Sequence, residues 1–413
     1  MKIKEYISFK DNPLKIKNFR FFILGHFISF TGTWIQNTAQ TWLVYELTKS
    51  SYYLGLFNLI SSSPIIFFSF LSGLIIDFFD RKKLLITIVS LAIFPSLILG
   101  ILTQTGKITF WIITFLSLFS TCLSGIDVPL RQVFISEIVP MEYIVKAISF
   151  QSLSFNTARM IGPFVAGLII SYMNLYECFY INALSFVPFL IFLIFWIRPL
   201  SNRSSISKKK MEIKKSYKEL FHFLRKKKNI LSVILTVCIF TFFGASVLVI
   251  LPVIVYKFYE GGGKEFGFLS SMIGIGAILG ATSVIFRKAV EDKLFNILLA
   301  TILLSISILG LSWITKWVFT TIFCIFIGFS FTNFFPVANS YIQENTPSEL
   351  RGRVISLFTL SFLGIYPIGN FFMGLLAEKF DLPLLLTIYA ILLISLNFPL
   401  IKFAKNKSLK IKS

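Results

Sequence analysis

The feature that most restricts this chain is the length of its apolar runs. A helix needs about 20 consecutive, mostly apolar residues to cross a hydrocarbon core of roughly 30 Å. Read in that unit, the sequence divides into twelve candidate spans: 20–46, 53–77, 83–104, 108–138, 145–173, 177–198, 229–257, 265–287, 293–314, 317–342, 352–379 and 383–403. No water reaches the backbone inside a bilayer, and a helix satisfies every N–H and C=O within one segment. Composition agrees: 55% of the residues are hydrophobic and 14% charged, against roughly 25% charged in soluble domains. The expected fold is an all-α polytopic membrane protein of twelve transmembrane helices. Several spans exceed the minimum length, which implies tilt. Pro64, Pro95, Pro163, Pro188, Pro336 and Pro367 fall inside spans, where neighbouring groups can satisfy the freed carbonyls. The basic stretch Met1 to Arg20 precedes an apolar run reaching about Tyr45. That run is too long for a signal-peptide core and reads as the first helix.

The positive charge has a topological pattern. An even number of spans puts both termini on one side. With twelve, 33 of the 40 Lys and Arg residues fall on that side and six on the other, with Arg159 inside a span. The bias predicts a multi-pass protein of the cell (inner or plasma) membrane with both termini cytoplasmic. The net charge of +21 is thereby explained by loops, and no nucleic-acid partner is expected, because the basic residues come in short runs between apolar spans. Cys122, Cys178, Cys238 and Cys324 lie in apolar stretches without metal-ligand spacing, and His26 and His222 form no metal cluster, so neither a disulfide framework nor a metal site is expected.

The Lys-, Ser- and Arg-rich stretch 199–228 splits the chain into an N-terminal six-helix bundle, 1–198, and a C-terminal one, 229–413. It sets topology as a basic cytoplasmic linker, and its 216–224 part can form an interfacial helix, with Tyr217, Leu220, Phe221 and Leu224 on one face. The halves are related. An offset of 207 residues aligns 129–168 with 336–375 without a gap, and 15 of those 40 positions are identical. They include Pro129/Pro336, Glu137/Glu344, Pro140/Pro347, Gly162/Gly369 and Gly167/Gly374, which shared hydrophobicity does not explain. A parallel repeat of this kind is a transporter signature, with the substrate site near the midplane between the halves.

Gly73-Leu-Ile-Ile-Asp77-Phe-Phe-Asp80-Arg81-Lys82 resembles the G-x-x-x-D-x-x-x-R-K signature of the major facilitator superfamily, in the loop between helices two and three. Four segments, "GHFISFTGTWIQNTAQTWLVYELTKS", "PLRQVFISEIVP", "NTARMIGPFVAGLI" and "RGRVISLFTLSFLGIYPIGN", are similar to the branch containing the enterobactin exporter and the macrolide-efflux permeases. The resemblance implies two pseudo-symmetric six-helix bundles and export of a bulky, largely apolar compound driven by proton entry.

Charges inside spans are expensive and usually functional. Asp77, Asp127, Arg131 and Arg159 have Val284, Phe334, Ala338 and Tyr366 as repeat mates, so the ionic machinery is expected in the N-terminal half. Counting from the cytoplasmic ends at 1.5 Å per residue, Asp127 and Arg159 reach matching depth. They can form a buried pair that is proton-responsive or purely structural, or Arg159 can neutralise an anionic substrate. Gly73, Asp77, Arg81 and Lys82 are expected to form a cytoplasmic conformational latch, as the resemblance also implies, or simply to set topology. Thr33, Gln36, Asn37 and Gln40 share a helical face that lines a cavity or bonds a neighbouring helix. Trp34, Phe240, Phe243, Phe331, Phe334 and Phe335 are candidates for an aromatic wall.

The function expected is secondary active transport by alternating access: proton-coupled efflux of a drug-like, macrolide-like or siderophore compound, with uptake of a small nutrient or transport-inactive sensing as the alternatives. No G-x-x-x-x-G-K-[ST] is present, so direct ATP drive is not expected. No enzyme activity and no cofactor other than the proton gradient are expected, and a monomer embedded in lipid suffices, with a small-molecule substrate as partner.

Overall fold

The computed structural model describes residues 12–200, 219, 222–286, 292–314 and 316–412. Every regular element among them is helical. In the first half these are α1 (Lys17–Thr48), α2 (Ser51–Ser62), α3 (Pro64–Phe78), α4 (Arg81–Gln104), α5 (Phe110–Ile138), α6 (Ile144–Tyr172) and α7 (Leu175–Ile191), the last closed by a π-turn at Phe192–Trp196. The second half holds α8 (Lys228–Ile239), α9 (Leu251–Tyr259), α10 (Gly263–Phe286), α11 (Lys293–Trp313), α12 (Trp317–Glu344), α13 (Ser348–Leu363), α14 (Ile365–Lys379) and α15 (Leu382–Lys412). Between α8 and α9 the chain stays helical but changes pitch, through a π segment at Phe240–Gly244 and a 3₁₀ segment at Ala245–Ile250. Most of the linker, including Tyr217, Leu220 and Phe221 of the expected interfacial helix, lies outside the described residues.

Ten described stretches are long and apolar enough to cross a membrane. Two of the spans expected from sequence, 20–46 and 53–77, fall outside that set. Polar Thr33, Gln36, Asn37, Gln40 and Thr41 dilute α1. The second span is interrupted at Ser63, ahead of Pro64, which has no N–H to donate. Span 352–379 is likewise divided into α13 and α14 at Gly364. Large apolar side chains point outward along the helices, among them Trp111, Phe115 and Val318, each more than 60% exposed. Lipid is the solvent such a surface fits.

The described residues of 1–43 and 60–207 form one compact unit, and those of 44–59 and 208–413 form another. In lipid, helices associate through close packing and interhelical hydrogen bonds, because the surrounding tails are as apolar as leucine. The first unit shows both. A Cβ on Gly32 of α1 would lie 2.1 Å from Ser185 Oγ of α7, and one on Gly100 of α4 would lie 2.6 Å from the Tyr180 ring. Asn182 of α7 donates to Gln36 Oε1 at 2.8 Å and to Ser96 Oγ at 3.0 Å, while Gln40 donates to Ser117 Oγ at 2.9 Å. In the second unit α10 and α12 meet backbone to backbone. A Cβ on Gly276 would lie 1.8 Å from the Ile325 carbonyl, and one on Gly328 would lie 1.9 Å from that of Ile273.

Candidate functional site

The first unit buries a guanidinium. Arg131 of α5 is 1% exposed. Its Nε donates to the Asp127 carboxylate, 2.9 Å from Oδ1 and 2.8 Å from Oδ2. The two residues are four apart on one helix, acid before base, the spacing and order that bring such a pair together on one face. Arg131 Nη1 donates to Ser29 Oγ at 2.9 Å and approaches His26 Nδ1 at 3.4 Å. The guanidinium carbon sits 4.7 Å from the Phe30 ring centroid and 4.3 Å from that of Phe189. His26, Ser29 and Phe30 present one face of α1 because they stand at i, i+3 and i+4.

A charge this deep persists only when paired and bonded. Two rings, a hydroxyl and one carboxylate supply that here. The carboxylate is the more exposed member, at 13%, and it lines a pocket of about 30 Å³ together with Ser29, Thr33, Ser124, Arg131 and Phe186. Such a volume admits about one or two waters. Guanidinium is a donor only, so His26 Nδ1 must act as the acceptor toward Arg131. A neutral His26 therefore carries its proton on Nε2, and that buried atom has no hydrogen-bond partner among the described residues. The site thus has one group able to gain a proton at the pocket wall and one fixed cation behind it.

Equal depth in the sequence pairs Asp127 with Arg159. Asp127 bonds Arg131, one turn along its own helix, and Arg159 is half-buried on α6. Helical periodicity on α5 brings Asp127 and Arg131 together, because residues four apart stand with Cβ atoms about 5–6 Å from one another. Of the polar face on α1, Thr33 reaches the pocket, Asn37 is exposed, and Gln36 and Gln40 are spent on α7 and α5. Trp34 packs edge-on to Phe155, with Gly162 against its Cβ. The phenylalanines of the second unit form a stack. Phe240 lies on Phe334 at 3.6 Å between centroids, both fully buried, with Phe331 and Phe335 edge-on to Phe240. Phe243 packs on Tyr389. Phe334 is the repeat mate of Asp127, so a ring stack occupies the register where the first half keeps its carboxylate.

At the other motif, Gly73 has open space where a Cβ would stand and Asp77 is exposed. Asp80 caps α4 by accepting from the Lys83 N–H at 2.8 Å, Lys82 is half-buried in the first turn, and Arg81 donates to Glu137 at 2.8 Å. Glu137 is not among the site residues expected from sequence, although its identity with Glu344 in the repeat marks it. Glu344 bonds Lys293 in the second unit, where Ser340 also accepts from Lys293 at 2.8 Å. In both units the cation sits at a helix N-terminus and the glutamate near a helix C-terminus. Each charge is on the unfavourable end of its own dipole, and the pair offsets both.

The profile of the transmembrane secretion effector family matches residues 10–410. The chain belongs to that family, within the major facilitator superfamily. Among relatives of this family member, the staphyloferrin A transporter of Staphylococcus aureus is 26% identical over 95% of this chain and 97% of its own. Macrolide efflux protein A of Streptococcus pyogenes is 22% identical, covering 90% and 91%. Among solved structures, the nucleoside transporter NupG superposes with a TM-score of 0.74 at 12% identity, covering 92% of this chain and 98% of the other. A D-xylose–proton symporter gives 0.70 at 13% identity, covering 93% and 97%. These structures establish the major facilitator fold for this transporter.

Proposed function

We propose that this transporter is a proton-coupled exporter of a bulky compound, macrolide-like or siderophore-like, with twelve spans in two six-helix bundles and both termini in the cytoplasm. The observation that carries the coupling is the Asp127–Arg131 pair, a fully buried cation balanced by one carboxylate at a pocket wall. A proton arriving through the pocket neutralises Asp127 and leaves Arg131 without its counter-charge. A conformation that offers the guanidinium water, another carboxylate or an electron-rich group of the substrate then becomes favoured. Loss of the proton on the other side restores the pair. The two relatives, one named for a siderophore and one for macrolide efflux, support outward movement of large compounds. The 33-to-6 loop-charge bias supports the orientation.

The test is gradient-driven uptake into inside-out vesicles of lipophilic dyes, macrolides and catecholate siderophores, with Asp127→Asn beside the parent. The expected outcome is accumulation by the parent and its loss in the folded variant. Accumulation unchanged in Asp127→Asn removes the coupling role. Absence of accumulation, with nutrient uptake in right-side-out vesicles, overturns the direction.

A further inference from the structure

Residues 44–59 belong by sequence to the first half, yet they are part of the second compact unit, while 1–43 and 60–207 form the first. The chain enters the second unit at Val44 and leaves it after Leu59. What holds this segment there is a seam inside the second unit, between α2 and α14.

The seam is built in three layers, one helical turn apart. Asn370, Gly374 and Glu378 fall at intervals of four on α14, and Ser51, Gly55 and Asn58 share a face of α2. Innermost, Asn370 Nδ2 donates to Asn58 Oδ1 at 3.2 Å. In the middle the backbones touch: a Cβ on Gly374 would lie 2.4 Å from the Ser51 carbonyl oxygen, and one on Gly55 would lie 2.8 Å from that of Asn370. At the rim the Glu378 carboxylate caps the start of α2. Its Oε2 accepts from the Ser51 N–H at 2.9 Å, the Tyr52 N–H at 3.3 Å, Ser51 Oγ at 2.8 Å and Ser50 Oγ at 3.1 Å. A helix N-terminus has unpaired N–H groups and a partial positive charge. A capping residue is ordinarily local in sequence, and here the acceptor comes from more than 320 residues away. The preceding turn is pinned as well. Lys49 takes the left-handed conformation at φ +52°, and its ammonium lies 4.8 Å from the Tyr256 ring of α9.

Glycine occupies the middle layer, and beside it the Tyr52 ring packs edge-on to Phe371. The seam's polar contacts at the rim converge on one carboxylate oxygen, Glu378 Oε2. Contacts of that kind are strong when ionised and can be made and broken without repacking a core. We propose that Glu378 is a latch residue for transport. Its carboxylate holds the start of α2 on α14 in this conformation, and each cycle breaks and remakes that cap as residues 44–59 leave and rejoin the second unit. Under the orientation proposed above, the latch lies at the non-cytoplasmic ends of α2 and α14.

The test reads accessibility, so it needs neither a transported compound nor a gradient. In a background with Cys122, Cys178, Cys238 and Cys324 replaced by serine, Leu54→Cys on α2, next to Gly55 of the seam and fully buried, is labelled with a membrane-impermeant maleimide, in whole cells and in inside-out vesicles. Glu378→Gln keeps the shape and removes the charge. Labelling from outside is expected to rise about tenfold, the scale of losing charge-assisted bonds. Ser51→Ala, which removes one donor from the opposite helix, is expected to raise it about threefold. Lys379→Gln, a neighbouring charge outside the cap, is expected to leave the rate unchanged. Monodisperse size-exclusion profiles establish folding, and Ser51→Ala carries the test if Glu378→Gln fails there. Parental labelling in folded Glu378→Gln, or in Ser51→Ala where it alone folds, overturns the latch. A rise confined to inside-out vesicles upholds the latch and overturns the orientation.

Discussion

Replacing Asp127 with asparagine leaves the Arg131 guanidinium buried at 1% exposure with its positive charge unbalanced. Breaking a buried pair by removing one partner costs about 3–5 kcal/mol. Two features of this site reduce that figure. The carboxamide oxygen introduced by the substitution would still accept from Arg131 Nε, and the Phe30 and Phe189 rings at 4.7 and 4.3 Å remain as electron-rich faces. Each ring is worth about 0.5–2 kcal/mol to a desolvated cation, a contribution present before and after the change. A net loss of about 2–3 kcal/mol is expected for Asp127→Asn. Arg131→Met leaves a lone carboxylate at 13% exposure beside the pocket, where water can reach it, and should lose about 1–2 kcal/mol. The double variant holds no unpaired charge and should lose less than about 1 kcal/mol relative to the parent. The cycle therefore predicts a coupling energy of roughly 2–4 kcal/mol, measured by the unfolding equilibrium of all four proteins in mixed micelles. A double variant destabilised by the sum of the two singles would refute the reasoning, because the pair would then be a geometric coincidence without energetic content.

Arg81→Ala and Glu137→Ala should each lower stability by about 1–3 kcal/mol, since both side chains are close to 10% exposed. Exchanging the two residues should recover less than the parent value, because Arg81 and Glu137 also occupy different backbone registers; thermal melts of the single, double and swapped proteins measure this. Gly328→Leu places its Cβ 1.9 Å from the Ile273 carbonyl oxygen and should abolish monodisperse expression, whereas Gly73→Ala, with open space at that position, should leave expression unchanged. Burial works to raise the Asp292 carboxyl, but the Lys405 ammonium and the Phe295 N–H outweigh it and hold the group below its ordinary value. A depressed folded value means stability that is present above the ordinary carboxylate range and lost as pH falls through the folded value. Asp292 is 39% exposed, so the contribution is screened to below about 1 kcal/mol. The melting difference between parent and Asp292→Asn should be largest near neutral pH, shrink on acidification and diminish with salt.

Helix positions were legible in the sequence because lipid demands long apolar segments, and the basic loops and the repeat punctuate them. Interruptions inside segments were less legible. Pro64 stands at a helix break and Pro367 follows the one at Gly364 by three residues, but Pro95, Pro129, Pro163 and Pro336 lie inside continuous helices. Whether a proline interrupts a helix depends on what bonds the carbonyl one turn before it, which is tertiary information. The candidate site divides the same way. Asp127 and Arg131 stood out as charges in an apolar field. The partners that make them a site, Ser29, His26, Phe30 and Phe189, are ordinary helix residues brought together by the crossing of α1, α5 and α7. Glu378 was hidden because a glutamate at the end of a span reads as a loop charge, and its role appears only when α2 is placed against α14.

The repeat separates charged contacts found in both halves from charges kept in one. Glu137 and Glu344 are retained at the same register, and both bond a cation at the first turn of the helix that precedes theirs, Arg81 on α4 and Lys293 on α11. The cations are not repeat mates, since Arg81 aligns with Lys288, but in both units the glutamate ties its helix end to the start of the preceding helix and offsets the same dipole cost. Asp127 and Arg131 are kept in one half and replaced by Phe334 and Ala338 in the other, where Phe334 stacks on Phe240. A buried pair stabilises a helix bundle no better than well-packed apolar groups of similar volume. The second unit makes that substitution at the same register and still forms a compact unit. Under the proposed function the charges kept by the first unit serve coupling, with a protonatable carboxylate facing a pocket in front of a fixed cation.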